Sequence, residues 1–255
     1  MDQPATFQDL RGASVYITGG GSGVGAALTD GFMGQGANVT FIGRSDASAF
    51  VEEMRDKHGR APVFLKGDMT DTELLHATMA KAAEAHGPLN VLVNNAANDK
   101  RHALEDTTPD FWDWMIEVNL KAYYFACQEA ARQMKDNGGS IINFSSISYM
   151  MGNAGYPIYT SSNAAITGMT RSLARELGPQ KIRVNALAPG WVLTQKQLDL
   201  WATPEDLAAH LDRQCLKEHL TPEDIIAPTL FLASSASRAM TGQCMVVDGG
   251  VVVTG

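Results

Sequence analysis

Cysteine is scarce in this 255-residue chain: Cys127, Cys215 and Cys244 are widely separated and form no CxxC pair. That spacing argues against a disulfide framework and against a cysteine zinc site. The six histidines fall in no HxH or HExxH arrangement, so no metal is expected. Basic residues are outnumbered, with 20 Lys and Arg against 28 Asp and Glu for a net charge of −8, and no long basic run occurs. Nucleic acid is therefore not an expected partner. No stretch approaches the roughly 18 apolar residues of a membrane span, and the N-terminal MDQPATFQDLRG lacks the basic and apolar regions of a secretion signal. Together these absences lead to the expectation of a cytoplasmic protein without a membrane partner.

A 45% hydrophobic composition is ample for a buried core, and no Pro/Ser/Gly-rich linker divides the chain, so one domain over residues 1–255 is expected. Apolar, β-branched runs alternate with helical periodicity. A strand at 13–18 leads through a glycine-rich turn to a helix carrying Val24, Leu28, Phe32 and Met33 on one face and ending near Gly36. A strand at 38–43, a helix at 47–58, a strand at 62–66, a helix at 71–86 and a strand at 89–94 follow. After an irregular segment at 98–109 come one long helix at 111–135, a strand from Gly138, a helix from Pro157 and a strand at 181–188. A helix at 225–234 and a short strand at 244–250 close the chain. The alternation predicts an α/β fold: a doubly wound parallel sheet of Rossmann type with helices on both faces and ligands beyond the strands' C-terminal ends. The weakly periodic excursion at 189–220, with TPED helix starts at 203–206 and 221–224, reads as a lid or substrate loop or as a packed pair of surface helices.

The chemistry-bearing residues sit after strands. Thr18-Gly19-Gly20-Gly21-Ser22-Gly23-Val24-Gly25 lies between the first strand and first helix, where glycines permit a tight turn and free amides favour a dinucleotide pyrophosphate. There is no GxxxxGK[ST] nucleotide loop. Arg44 follows the second strand, where an acidic residue would hold an adenosine 2'-hydroxyl; a guanidinium pairs instead with a 2'-phosphate, which favours NADP over NAD. Asp68 lies near the adenine in this scheme or caps the turn at Thr70 and Asp71. In GGSIINFSSISYMMGNAGYPIYTSSN, residues 138–163, a strand opens at Ser146 and a helix begins at Pro157. Tyr159 and Asn163, four apart, share a helical face. A tyrosine that must lose its proton near neutral pH needs a positive neighbour, because its ordinary pKa is about 10.

TGGGSGVG at 18–25, NNAA at 94–97, Asn119 in EVNL, the Ser145-Ser146 pair, Tyr159, PGWVLT at 189–194 and TGQCMVVDGG at 241–250 together resemble the short-chain dehydrogenase/reductase family over essentially the whole chain. The resemblance implies an NAD(P)-dependent oxidoreductase acting on CH–OH donors, usually a homotetramer, with Asn119, Ser146 and Tyr159 as its catalytic group. Tyrosine exchanges the proton, serine holds the reacting oxygen and asparagine positions a relay water. It further implies cofactor contacts at Gly19, Ser22, Gly23, Val24, Gly25, Arg44, Asp68, Met69, Asn95, Ala96, Tyr159, Asn163, Pro189, Gly190, Val192 and Thr194. A narrower likeness, in NNAANDKRHAL at 94–104, SISYMMG at 146–152, LWATPED at 200–206 and RQCLKEHLTPED at 213–224, is to bacterial aldose 1-dehydrogenases, which oxidise a sugar's anomeric carbon to a lactone. Asn98, Arg101, His102, Ser148, Tyr149, Trp191 and Gln195, with Ser146 and Tyr159, then become candidates for holding a polyol. Arg101 and His102 have a second reading, as a subunit interface.

One position departs from the family pattern. Tyr-x-x-x-Lys is replaced here by Tyr159-x-x-x-Asn163, and asparagine can hydrogen-bond a ribose but carries no charge to lower the tyrosine pKa. Asn163 is read as a substitution in an otherwise intact enzyme, as native with another cation compensating, or as the mark of a binding-only relative. The expectation is an aldose dehydrogenase that is slow or shifted in pH. The alternatives are an enzyme for another secondary alcohol or ketone, and a catalytically silent NADP-binding regulator.

Overall fold

The computed structural model describes residues 5–253. Its strands are β1 Ser14–Thr18, β2 Asn38–Gly43, β3 Val63–Lys66, β4 Val91–Asn94, β5 Gly139–Phe144, β6 Ile182–Pro189 and β7 Cys244–Val247, all parallel in the order β3-β2-β1-β4-β5-β6-β7. Parallel neighbours require crossovers, and helices α1 Gly23–Gly34, α2 Ser48–His58 and α3 Thr72–His86 supply those of the first half. Alternate residues of β1 serve opposite cores. Val15 and Ile17 pack with Leu28, Phe32 and Met33 of α1, whereas Tyr16 packs with Leu75 and Met79 of α3. Both faces are therefore dry, which is why the strands read as continuous apolar runs. The chain winds outward from β1 to β3 and then returns to β4 on the other side of β1. That reversal opens a crevice beyond Thr18 and Asn94, where the site lies.

The helical stretch expected over 111–135 runs without interruption from Pro109 to Met134 but changes its winding midway. It runs as α4 Pro109–Ile116, a π-helical turn Glu117–Lys121 and α5 Ala122–Met134. The Asn119 side chain lies in the π turn and satisfies it: its Nδ2 donates to the Met115 carbonyl one turn back at 2.9 Å. A four-residue helix, α6 Ser148–Met151, occupies part of the segment expected as loop and stops at Gly152, whose φ of 63° is left-handed. Helix α7 Pro157–Leu177 starts on proline as expected. The 189–220 excursion is a helical pair, α8 Gln195–Leu200 and α9 Pro204–Arg213, capped by the side chains of Thr194 and Thr203. The second TPED opens a 3₁₀ turn, Pro222–Ile225, which feeds α10 Ile226–Ala233.

Candidate active site

The turn from β1 into α1 is shaped by backbone proximity. A Cβ on Gly25 would lie 1.9 Å from the Gly19 carbonyl oxygen, and Gly19 and Gly23 have φ of 71° and 52°. Only glycine fits such a turn. Asn95 braces it from β4: its Nδ2 donates to the carbonyls of Thr18 at 3.1 Å and Gly19 at 3.3 Å, and the Thr18 hydroxyl accepts from the amides of Asn95 and Ala96. Helices α3, α4, α8 and α9 begin with a side chain bonded to a first-turn amide, but Ser22 makes no such bond to α1. The first amides of α1 are thus left for an anion. This turn borders a cavity of about 590 Å³ that is also lined by Arg44, Asp68, Met69, Asn95, Ala96 and Thr194. Asp68 caps the turn at Thr70 and also lines this cavity. Its Oδ1 accepts from the Thr70 amide and hydroxyl, while its Oδ2 lies 3.8 Å from the exposed Arg44 guanidinium. These residues fit a nicotinamide dinucleotide: amides for the pyrophosphate and a loosely paired guanidinium at the adenosine end.

A second cavity, of about 640 Å³, is lined by Asn119, Ser146, Tyr159 and Asn163, and by Pro189, Gly190 and Val192. It shares Val24, Asn95, Tyr159 and Thr194 with the first, so the two form one cleft joined at the tyrosine. Asn119, only 2% exposed, lies in the π turn and spends its amide on the chain. Its Oδ1 accepts from the Asn98 amide at 2.8 Å, and its Nδ2 donates to the Asn98 and Met115 carbonyls. Ser146 accepts from the Ser148 amide at 3.2 Å. Burial, reinforced by the Asp99 carboxylate and opposed in part by the side chains of Ser146 and Asn163, pushes the Tyr159 hydroxyl up to about 12. At neutral pH Tyr159 keeps its proton. Asn163, 3% exposed, turns its Nδ2 to the Tyr159 main-chain carbonyl at 2.8 Å, and its own carbonyl accepts from Ser145.

The polyol candidates divide. Arg101, Ser148 and Trp191 line the second cavity. Arg101 holds its guanidinium over the Tyr156 ring at 3.9 Å and over Trp201 at 5.5 Å. The other four are not brought there. Asn98 borders the first cavity, with its Oδ1 accepting from the Lys100 amide. Gln195 borders the first cavity too, bonded to Asp199. Tyr149 turns to Thr167 at 3.3 Å. His102 braces the start of α7, its Nε2 accepting from the Ile158 amide at 3.3 Å and its Nδ1 donating to the Lys100 carbonyl at 2.9 Å. That pair of contacts fixes its neutral tautomer.

Residues that the sequence did not mark also border the cleft. Asp99 lines both cavities and is bonded to Lys196 and Gln197. Tyr156, Trp201, His210 and Arg213 line the second. Asp99 lies within NNAANDKRHAL but carries no pattern of its own. Among the described residues, no cluster of His, Cys, Asp or Glu could hold a metal ion, and no helix is long and apolar enough to cross a membrane.

Comparison with known proteins places this geometry among oxidoreductases. A family model described as enoyl-(acyl carrier protein) reductase matches residues 19–252. The protein named probable galactose dehydrogenase GalD of Rhizobium meliloti (strain 1021) is 46% identical over 248 residues, 96% of this chain and 97% of that one. The D-xylose 1-dehydrogenase of Caulobacter vibrioides is 44% identical over 249 residues, 96% of this chain and 98% of that one. Among solved structures, a blue fluorescent protein from a metagenomic library in complex with NADPH is 33% identical, covers 96% of this chain and 100% of its own, and superposes with a TM-score of 0.88.

Proposed function

The chain belongs to the short-chain dehydrogenase/reductase family and is an oxidoreductase using a nicotinamide cofactor, and from that premise we propose that it oxidises the anomeric carbon of an aldose to a lactone. The observation that carries the reading is the single cleft joined at Tyr159, with the glycine turn at one end and Ser146, Arg101 and Trp191 at the other. The galactose and D-xylose specificities of the relatives support a sugar in the second cavity. Tyr159 accepts the proton of the anomeric hydroxyl, and Ser146 holds the oxygen as it becomes a carbonyl. Asn119 holds the loop through Asn98, and the Trp191 ring offers a face to the sugar's C–H surface. When bound, the nicotinamide supplies the acceptor for the hydride leaving the anomeric carbon.

NADP is the proposed cofactor, because Arg44 is 62% exposed and held by Asp68 only at 3.8 Å, leaving it free to meet a 2'-phosphate. Asn163 makes this a slow or alkaline-shifted dehydrogenase of sugars. A proton-bearing Tyr159 favours the reverse chemistry at neutral pH, so reduction of a sugar-like ketone is a second reading. We also propose a cytoplasmic homotetramer. Three unpaired cysteines are compatible with a reducing compartment, and Trp112 and Tyr124, 45% and 49% exposed on α4 and α5, offer apolar surface for subunit contact. Nicotinamide absorbance, followed near pH 7 and near pH 10 over pentoses, hexoses and deoxysugars, tests the activity. Turnover confined to non-sugar alcohols or ketones would overturn the aldose reading, and cofactor binding without turnover, even with lysine restored at 163, would overturn the enzyme.

A further inference from the structure

Asp99 lies in the loop after β4, at the junction of the two cavities, with its side chain only 18% exposed. Both carboxylate oxygens are spent on the first turn of α8: Oδ1 accepts from Lys196 Nζ at 2.7 Å and Oδ2 from Gln197 Nε2 at 2.7 Å. Gln197 Oε1 in turn accepts from the Trp191 indole N–H at 2.9 Å, and the Trp191 ring stands edge-on to His210 of α9 at 5.5 Å. An indole N–H only donates and an ionised carboxylate only accepts, so the Gln197 amide between them has one possible orientation. The chain of bonds thus runs from the cofactor end of the cleft to the aromatic wall of the sugar end. Lys196 is the only lysine lining either cavity among the described residues, and its charge is committed to Asp99. Lys196 is therefore not free to be the compensating cation considered for Asn163.

We propose that Asp99 is a positioning residue for the substrate: through Gln197 it sets the plane of the Trp191 indole, and with Lys196 it clasps α8 across the cleft. The substrate half of this proposal rests on the aldose reading, and the clasp does not. Charge-assisted hydrogen bonds in a mostly buried site are the stronger kind, so losing the carboxylate frees both the glutamine and the lysine. The same carboxylate is the anion facing Tyr159, whose other titratable neighbours are Tyr123 and Tyr156. Removing its charge lowers the tyrosine's pKa, an effect that breaking the Gln197 bond alone does not have.

The test uses the full chain with Asp99→Asn and Gln197→Leu. Amide exchange over residues 191–201, measured without sugar or cofactor, should accelerate by about tenfold in both variants, as one hydrogen bond of ordinary worth is lost. The KM for the best aldose should rise by about tenfold in both. The pH profile of kcat should move to lower pH only in Asp99→Asn. Faster exchange with an unchanged KM makes the clasp merely structural and overturns the positioning role; unchanged exchange overturns the clasp. If Asp99→Asn fails to fold, Gln197→Leu decides the positioning role and Lys196→Met, read by the same amide exchange, decides the clasp. Should no aldose be turned over by the unmodified chain, the aldose reading fails with the positioning role that depends on it, and the exchange result still decides the clasp.

Discussion

Replacing Asn163 by lysine restores one charge at one place, and its effect follows from the surroundings of Tyr159. The two side chains leave the same face of α7, and position 163 is 3% exposed, so the new ammonium would be shielded from bulk water. With Tyr159 held up to about 12, the phenolate fraction at pH 7 is about 10⁻⁵. A unit charge about 4 Å away at an effective dielectric near 20 stabilises the phenolate by roughly 4 kcal/mol, or about 3 pKa units as an upper bound. The phenolate fraction at pH 7 then approaches about 10⁻², and oxidation should accelerate by up to about a thousandfold. The expected record is a kcat profile that rises tenfold per pH unit in both forms, with its inflection one to three units lower, as an order-of-magnitude range, in the lysine variant. NADP affinity is titrated alongside, and Asn163→Gln serves as the uncharged control. An inflection that stays in place in the lysine variant, with NADP affinity intact, would refute the assignment of Tyr159 as the base or of the missing charge as its handicap. An equal shift in the glutamine control would attribute the effect to packing.

Arg44→Ala should weaken NADP binding by about tenfold and leave NAD almost unaffected, read by fluorescence titration of each cofactor. Equal losses for both would remove the basis for preferring NADP. Gly25→Ala pushes a methyl against the Gly19 carbonyl at 1.9 Å, so thermal unfolding should show a loss of about 2 kcal/mol and cofactor affinity should collapse with it. Alkali should unfold the protein early. Tyr16, Tyr123 and Tyr159 are all raised, chiefly by burial, so below pH 10 they are protonated in both states and leave stability unchanged. Above pH 10 the unfolded chain releases their protons while the fold retains them, costing about 1.4 kcal/mol per tyrosine for each pH unit until the folded pKa is reached. Denaturant titrations from pH 8 to 11 measure the slope, and Tyr16→Phe should reduce it.

The sheet was legible because both its faces are covered, so each strand is a short apolar run between glycine- or asparagine-rich turns. The Tyr159 and Asn163 pairing followed from helical spacing alone. What escaped the sequence shares one physical cause: a side chain's partner can be distant along the chain. Nothing in NNAANDKRHAL shows that Asp99 is met by Lys196 and Gln197, or that His102 turns away to brace α7. Tyr149 was a sugar-contact candidate through the aldose dehydrogenase likeness of SISYMMG, but the turn of α6 directs it to Thr167. The tyrosine's difficulty was likewise only half visible. The missing lysine could be read from the motif, whereas burial and the Asp99 charge exist only once the cleft is assembled.

The π turn at Glu117–Lys121 makes residue count, as much as residue type, a requirement of the site. A π turn arises when a helix accommodates one extra residue, and each residue of a helix turns it by about 100°. Deleting one residue between 117 and 121 would let α4 and α5 fuse into a regular helix with Ala126, Cys127, Ala130 and Met134 still near the core face, because the wide turn absorbs the extra residue and the change falls on the turn itself. Asn119 would lose its hold on Asn98 in the same event. Substitutions that spare Asn119 leave the residue count of the turn intact, so the other positions of this segment should tolerate altered side chains better than altered length.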